Sequence, residues 1–154
     1  MLHVPFMIFF NDKAYDLHQD KFDYLKNLRD KSSAIEMRNV QINVKTYINS
    51  IFRKDLKKKH IGIYWPLENE VDLRSLGEEY LLALPRCEIN KKLLFCSWDK
   101  KQLSKDFQGI LAPYSSNKLS YEKISMMFIP CLSVDRNLIR LGYGGGYFDK
   151  LRED

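Results

Sequence analysis

Four of the chain's seven glycines fall within five residues, Gly142, Gly144, Gly145 and Gly146, in the run Arg140-Leu-Gly-Tyr-Gly-Gly-Gly-Tyr-Phe-Asp-Lys150. No other stretch limits the fold so narrowly. A helix end or a tight turn needs one residue without a Cβ. An L-residue forced into the left-handed region costs roughly 1–2 kcal/mol, so a cluster of glycines indicates a backbone bent repeatedly. Such a bend can aim several N–H groups at one point, as phosphate-cradling loops do. The flanks agree with that use. Ahead lies the apolar, β-prone run Ile124-Ser-Met-Met-Phe-Ile129, then Pro130 and a linker. Behind comes Tyr147-Phe-Asp-Lys-Leu-Arg152, which can begin a helix with its positive dipole end at the loop. Arg140 and Lys150 bracket the loop with positive charge, and Asp149 stands where a first-turn carboxylate could hold a metal bridging phosphate oxygens. The residues alone leave two readings open, a phosphate cradle and a flexible surface loop. The spacing is neither a G-x-x-x-x-G-K-[ST] loop nor a G-x-G-x-x-G fingerprint directly after a strand.

The rest of the chain supplies a sheet to carry that loop. At 154 residues it is expected to be one domain. Spacing of three at Phe22, Leu25 and Leu28 predicts a helix over residues 20–38. Val40, Val44, Tyr47, Ile48, Ile51 and Phe52 recur at helical spacing and predict an amphipathic helix covering a sheet. Ile61-Gly-Ile-Tyr-Trp65 reads as a short buried strand stopped by Pro66, with Glu68, Glu70 and Asp72 alternating beyond it. Residues 73–82 read as a helix, Leu81-Leu-Ala-Leu84 and Lys92–Trp98 as strands, and 99–122 as a loop-rich connection. Strands alternating with helices imply a single-domain α/β fold, a mainly parallel sheet with helices on both faces.

Several functions are set aside by composition. Cys87, Cys96 and Cys131 show no C-x-x-C pair or metal spacing and read as reduced thiols packed as small hydrophobes. His3, His18 and His60 are scattered and form no metal set. Residues 1–10 are apolar but too short to span a bilayer, and they lack a basic leader region. A net charge of +5 favours anionic ligands without choosing among them. The basic run Arg53–His60 could serve RNA, but a solvated helix end is the commoner use of such a run.

The segment Arg140–Asp149 resembles the R-L-G-x-G-x-G-Y-Y-D signature of the 5-formyltetrahydrofolate cyclo-ligase family, the 5,10-methenyltetrahydrofolate synthetases. Ile129-Pro-Cys-Leu-Ser-Val-Asp135 is similar to the piece before it, with Asp135 at the turn. Ile61–Asp72 is similar to the family's strand and acidic segment. The resemblance covers residues ~26–154.

It implies a three-layer α/β fold and ATP- and Mg2+-dependent closure of 5-formyltetrahydrofolate to 5,10-methenyltetrahydrofolate, with ADP and phosphate released. Arg140 and Tyr147 take catalytic roles. The ATP site implied comprises Lys26, Arg29, Arg140, Leu141, Gly142, Tyr143, Gly144, Gly145, Gly146, Tyr147 and Phe148. Trp65, Glu70 and Tyr143 bind the folate, and Asp149 binds the metal. A carboxylate at Glu70 suits a pterin, whose amide N–H and 2-amino group can donate to it in parallel. The family's basic pair on its first helix is K-x-x-x-R, whereas Lys26 and Arg29 lie three apart. Residues 21–154 form the cyclo-ligase-like domain after a leader of 1–20, and the family's second metal-binding aspartate finds no match before Asp154. The expected protein is a cytoplasmic monomer acting on small molecules, without nucleic acid or membrane partners. A relative that binds nucleotide or folate without catalysis, and an RNA-binding module, are the alternatives.

Overall fold

A computed structural model describes residues 19–51, 59–137 and 139–152. The leader over 1–18 with His3 and His18, Phe52 and most of the basic run Arg53–His60 lie outside the described residues, as do the side chains of Phe22, Leu25 and Ile51.

The first helical stretch is divided in two. Helix α1 spans Gln19–Asp30 and α2 spans Ala34–Ile51, so the helix expected over 20–38 breaks at residues 31–33. The cause is a capping box. Ser33 Oγ accepts the Glu36 N–H at 3.2 Å, and the Ser33 N–H donates to Glu36 Oε2 at 2.7 Å. Those two bonds satisfy donors that a helix start leaves open, and they fix the start of α2. Val40 and Ile48 of α2 are fully buried, with Met37 and Val44 packed beside them. Each such burial contributes about 1.5–3 kcal/mol. Tyr47, counted in the predicted stripe, is 55% exposed and faces away from this core.

The main sheet has four strands in the order β3-β2-β1-β6: β1 is His60–Gly62, β2 Leu81–Cys87, β3 Leu93–Trp98 and β6 Ile124–Met127. β1 runs parallel to β2 and to β6, while β3 is antiparallel to β2. The sheet is therefore mixed and mostly parallel, in an α/β domain. One face joins Ile61, Ile63, Leu82 and Leu84 to Val40 and Ile48 of α2. The other joins Ala83, Leu93, Phe95 and Ile124, with Tyr147 and Phe148 packed on it. Gly62 lies on that second face, where a Cβ would meet Met127 Cγ at 2.9 Å and the Phe95 ring at 3.1 Å.

Residues 73–82 are not one helix. A short 3-10 turn occupies Arg74–Glu78, and Leu81 and Leu82 belong to β2, drawn there by parallel pairing with β1. Pro85 sits inside β2, beyond the last β1 pairing at Ala83, so its missing N–H costs that ladder nothing. The connection 99–122 holds a small hairpin, β4 (Ser104–Lys105) with β5 (Leu111–Ala112). Its turn is built on Asp106, whose Oδ1 accepts the N–H groups of Gln108 and Ile110. A second hairpin, β7 (Ser133–Val134) with β8 (Arg140–Leu141), delivers the glycine loop. Asp135 Oδ1 accepts the N–H groups of Asn137 and Ile139 at its turn. After the loop comes a 3-10 turn, Asp149–Arg152, in place of the expected helix start. Among the described residues no helix is long and apolar enough to cross a membrane.

Candidate active site

A cavity of about 260 Å3 opens where the parallel strands end. Trp65 enters it just past β1, Cys87 at the end of β2, and Pro130 past β6. Open α/β sheets place ligands at the carboxyl ends of their strands, because the chain diverges there and leaves a crevice. The glycine loop forms the facing wall through Gly142, Gly145 and Gly146, and Glu70 lines the same cavity.

The loop's conformation accounts for its composition. Gly144 and Gly146 have φ of 85° and 70°, in the left-handed region. At Gly142 a Cβ would meet the Arg140 guanidinium at 2.5 Å, so that glycine makes room for the arginine. Arg140 donates from Nη1 to the Pro130 carbonyl at 3.3 Å and from Nη2 to Asp149 Oδ1. Its guanidinium also lies 5.8 Å from the Phe148 ring centroid. The Asp149 carboxylate is 66% exposed, whereas the Arg140 side chain is 17% exposed. Tyr147 closes the loop from below, and its hydroxyl oxygen accepts a hydrogen bond from Gln108 Nε2 at 2.8 Å.

The opposite wall is aromatic and acidic. Glu70 is 7% exposed and accepts the Leu67 N–H on Oε2 at 2.9 Å, with the Tyr143 hydroxyl beside its carboxylate. The Tyr143 ring carries the Arg29 guanidinium at 5.2 Å. Tyr143's hydroxyl is buried without a well-formed hydrogen bond among the described residues; Arg29 and Glu70 are its charged neighbours. Burial foremost pushes that hydroxyl up to about 12, so it stays neutral in ordinary buffers. Trp65 is fixed on two sides. The Arg74 guanidinium lies 4.4 Å from its ring, and Trp98 meets it edge-on at 6.0 Å and 76°. Arg74 is itself held by Asp72 through two hydrogen bonds of 2.8 and 2.6 Å.

Of the residues singled out in the sequence, Trp65, Glu70, Arg140, Gly142, Tyr143, Gly145, Gly146, Tyr147, Phe148 and Asp149 come together at the cavity. Arg29 reaches it only through Tyr143. Leu141 lies in β8, Gly144 is exposed, and Lys26 is exposed on α1; none of the three lines the cavity.

Other lining residues carried no signal in the sequence. Asp106 and Gln108 reach the cavity from the β4–β5 turn, and a polar connection gives no hint that its turn faces a site. Cys87 lines it too. Burial, and then the Asp106 carboxylate, push its thiol up to about 12, so it is held protonated and is no nucleophile.

A mixed, mostly parallel sheet with a glycine loop folded over its strand ends defines an α/β fold with a crevice at those ends among the described residues. Among solved structures it is similar to the NMR structure of the 5,10-methenyltetrahydrofolate synthetase of Aquifex aeolicus. The two chains are 24% identical with a TM-score of 0.69, over 87% of this chain and 71% of that one. It is likewise similar to the 5,10-methenyltetrahydrofolate synthetase from Mycoplasma pneumoniae, at 18% identity and a TM-score of 0.62, over 86% and 75%. The chain therefore has the fold of these synthetases, and the α/β class that its glycine loop's resemblance implied. No family model and no curated protein matches the sequence.

Proposed function

We propose that the protein closes 5-formyltetrahydrofolate to 5,10-methenyltetrahydrofolate with ATP and Mg2+. One observation carries the reading: the glycine loop and Glu70 line a single cavity, so a phosphate chain and a pterin can meet there. The formyl oxygen is a poor leaving group until phosphorylated. It attacks the γ-phosphorus and ADP departs; N10 then attacks the formyl carbon, loses its proton and expels phosphate. Such a transfer asks a protein for positioning and charge neutralisation, with no covalent nucleophile.

On this reading Gly142 to Gly146 present main-chain N–H groups to the phosphates, with Leu141 and Phe148 shaping the loop. Arg140 neutralises charge on the transferred group, and Arg29, with Lys26, adds positive charge from α1. Tyr147 has its oxygen engaged by Gln108, which leaves its O–H free to donate to a phosphoryl oxygen. Glu70 offers its carboxylate to the pterin's donors, with Trp65 and Tyr143 as apolar walls. Among the described residues no three His, Cys, Asp or Glu form a metal cluster. A Mg2+ held by one carboxylate and by substrate phosphates needs none, and Asp149 at the loop's exit suits that role. Held by Asp149, such an ion would supply charge neutralisation to the substrate phosphates.

The same reading makes residues 21–154 one cyclo-ligase-like domain of three layers, a cytoplasmic monomer working on small molecules alone. Both faces of its sheet are apolar, as a sheet covered on both sides requires. The test is spectroscopic. Purified protein with ATP, Mg2+ and 5-formyltetrahydrofolate should accumulate methenyltetrahydrofolate only when all three are present. Binding of either ligand without folate-dependent ADP formation would refute catalysis.

A further inference from the structure

The turn between β2 and β3 holds two consecutive non-glycine residues in the left-handed region, Asn90 at φ 61° and Lys91 at φ 59°. A two-residue hairpin turn asks for positive φ at both central positions; asparagine suits that region, whereas a lysine there carries a Cβ that glycine would not. The turn is closed by the Glu88 N–H donating to the Lys92 carbonyl at 2.8 Å. A backbone-only role at position 91 would be served better by glycine. Strain of this kind gathers where a side chain must be delivered to a particular place.

That place is the glycine loop. Lys91 Nζ lies 3.3 Å from where a Cβ on Gly146 would stand, and its Cδ 3.7 Å. The turn is also tied to the segment after the loop, since Lys150 Nζ donates to the Asn90 carbonyl at 3.3 Å. Among the described residues the Lys91 ammonium has neither an ion pair nor a hydrogen bond. It differs in this from Arg140, which is paired with Asp149. An exposed, unpaired cation thus lies beside the left-handed glycine, which itself lines the cavity.

We infer that Lys91 is a further phosphate-binding residue, closing the glycine loop over the phosphate chain of a bound nucleoside triphosphate. The inference rests on the ATP-dependent reading above. An ammonium on a flexible stem is a common phosphate partner, acting as a point charge. The folate's glutamate carboxylates are the competing anion of the same chemistry.

Calorimetric titrations of a non-hydrolysable ATP analogue with Mg2+, and separately of 5-formyltetrahydrofolate, distinguish the two. Lys91→Gly should raise the thermal midpoint by about 2–4 °C through relief of strain. It should weaken analogue binding about tenfold and leave folate binding unchanged. Lys91→Arg should keep analogue affinity within about threefold, and Lys91→Asn provides a second neutral variant that tolerates the backbone. Analogue affinity unchanged in both neutral variants would overturn the assignment of Lys91 alone. A loss confined to folate would overturn it in favour of the glutamate tail. A wild-type protein that binds no analogue would overturn both this inference and the ATP-dependent reading.

Discussion

Glu70→Gln is the sharpest probe of the proposed folate site, because it removes a charge while leaving the shape of the side chain intact. Glu70 is buried at 7% exposure, and one of its oxygens is already used by the Leu67 N–H at 2.9 Å. The carboxylate's remaining lone pairs suffice for two parallel acceptor bonds to a pterin. In glutamine the amide oxygen must still accept the Leu67 N–H, so the NH2 group is turned toward the pterin's own donors. The charge-assisted contribution is then lost, and a hydrogen bond to a charged group is worth about 1.5–3 kcal/mol. At about 1.4 kcal/mol per tenfold, 5-formyltetrahydrofolate should bind roughly 10- to 150-fold more weakly. Fluorescence or calorimetric titration measures this directly, with the ATP analogue and the thermal midpoint as controls. The fold should survive, because the Leu67 bond is retained. Folate affinity within twofold of wild type, with the midpoint unchanged, would remove Glu70 from the site.

Three further outcomes are expected. Asp149→Asn should lower Mg2+-dependent turnover at least about 100-fold, on the order of 3 kcal/mol, and should shift the thermal midpoint by less than about 2 °C, as the carboxylate is 66% exposed; normal turnover would take Asp149 out of the metal role. Gly62→Ala should destabilise the domain by about 1–3 kcal/mol, because the new methyl collides with Met127 and Phe95 in a close-packed face, and a denaturant midpoint equal to wild type would contradict that packing. Burial holds the His60 imidazole below its usual 6.5. The unfolded chain then binds more protons, so stability is complete above about pH 6.5 and declines as pH falls through that value. A melting temperature flat between about pH 7.5 and 5, or unchanged by His60→Gln in its pH slope, would refute this.

What could be read from the sequence was what the sequence encodes locally. The glycine loop announces itself because left-handed turns need residues without a Cβ, and Gly144 and Gly146 supply them. Asp135 at its turn followed from the resemblance, and the buried strand ahead of Tyr64 and Trp65 from a short apolar run stopped by Pro66. The break between α1 and α2 was encoded too, as Ser33-Ala-Ile-Glu36, but an uninterrupted helical spacing of apolar residues masks a capping box. The strand from Leu81 was legible too, but the helix read over 73–82 ran into it, and parallel pairing of Leu81 and Leu82 with His60 and Ile61 decides between the two. Lys91 and Gln108 were illegible in a stronger sense. Each lies on a polar turn and gains meaning only from a partner far along the chain, Gly146 in one case and Tyr147 in the other.

The pairing of Arg140 with Asp149 bears on how such a loop can receive its ligands. The two side chains assigned to phosphate and to metal satisfy one another across the loop's entrance and exit. A carboxylate so exposed contributes little to the pair, about 0–1 kcal/mol after screening by water. An incoming phosphate offers the guanidinium a better partner, while a divalent cation offers the same to the carboxylate, so the two arrivals are coupled. Each releases the group that the other ligand needs. Nucleotide and metal should on this argument bind together more tightly than either binds alone, without any movement of the sheet beneath them.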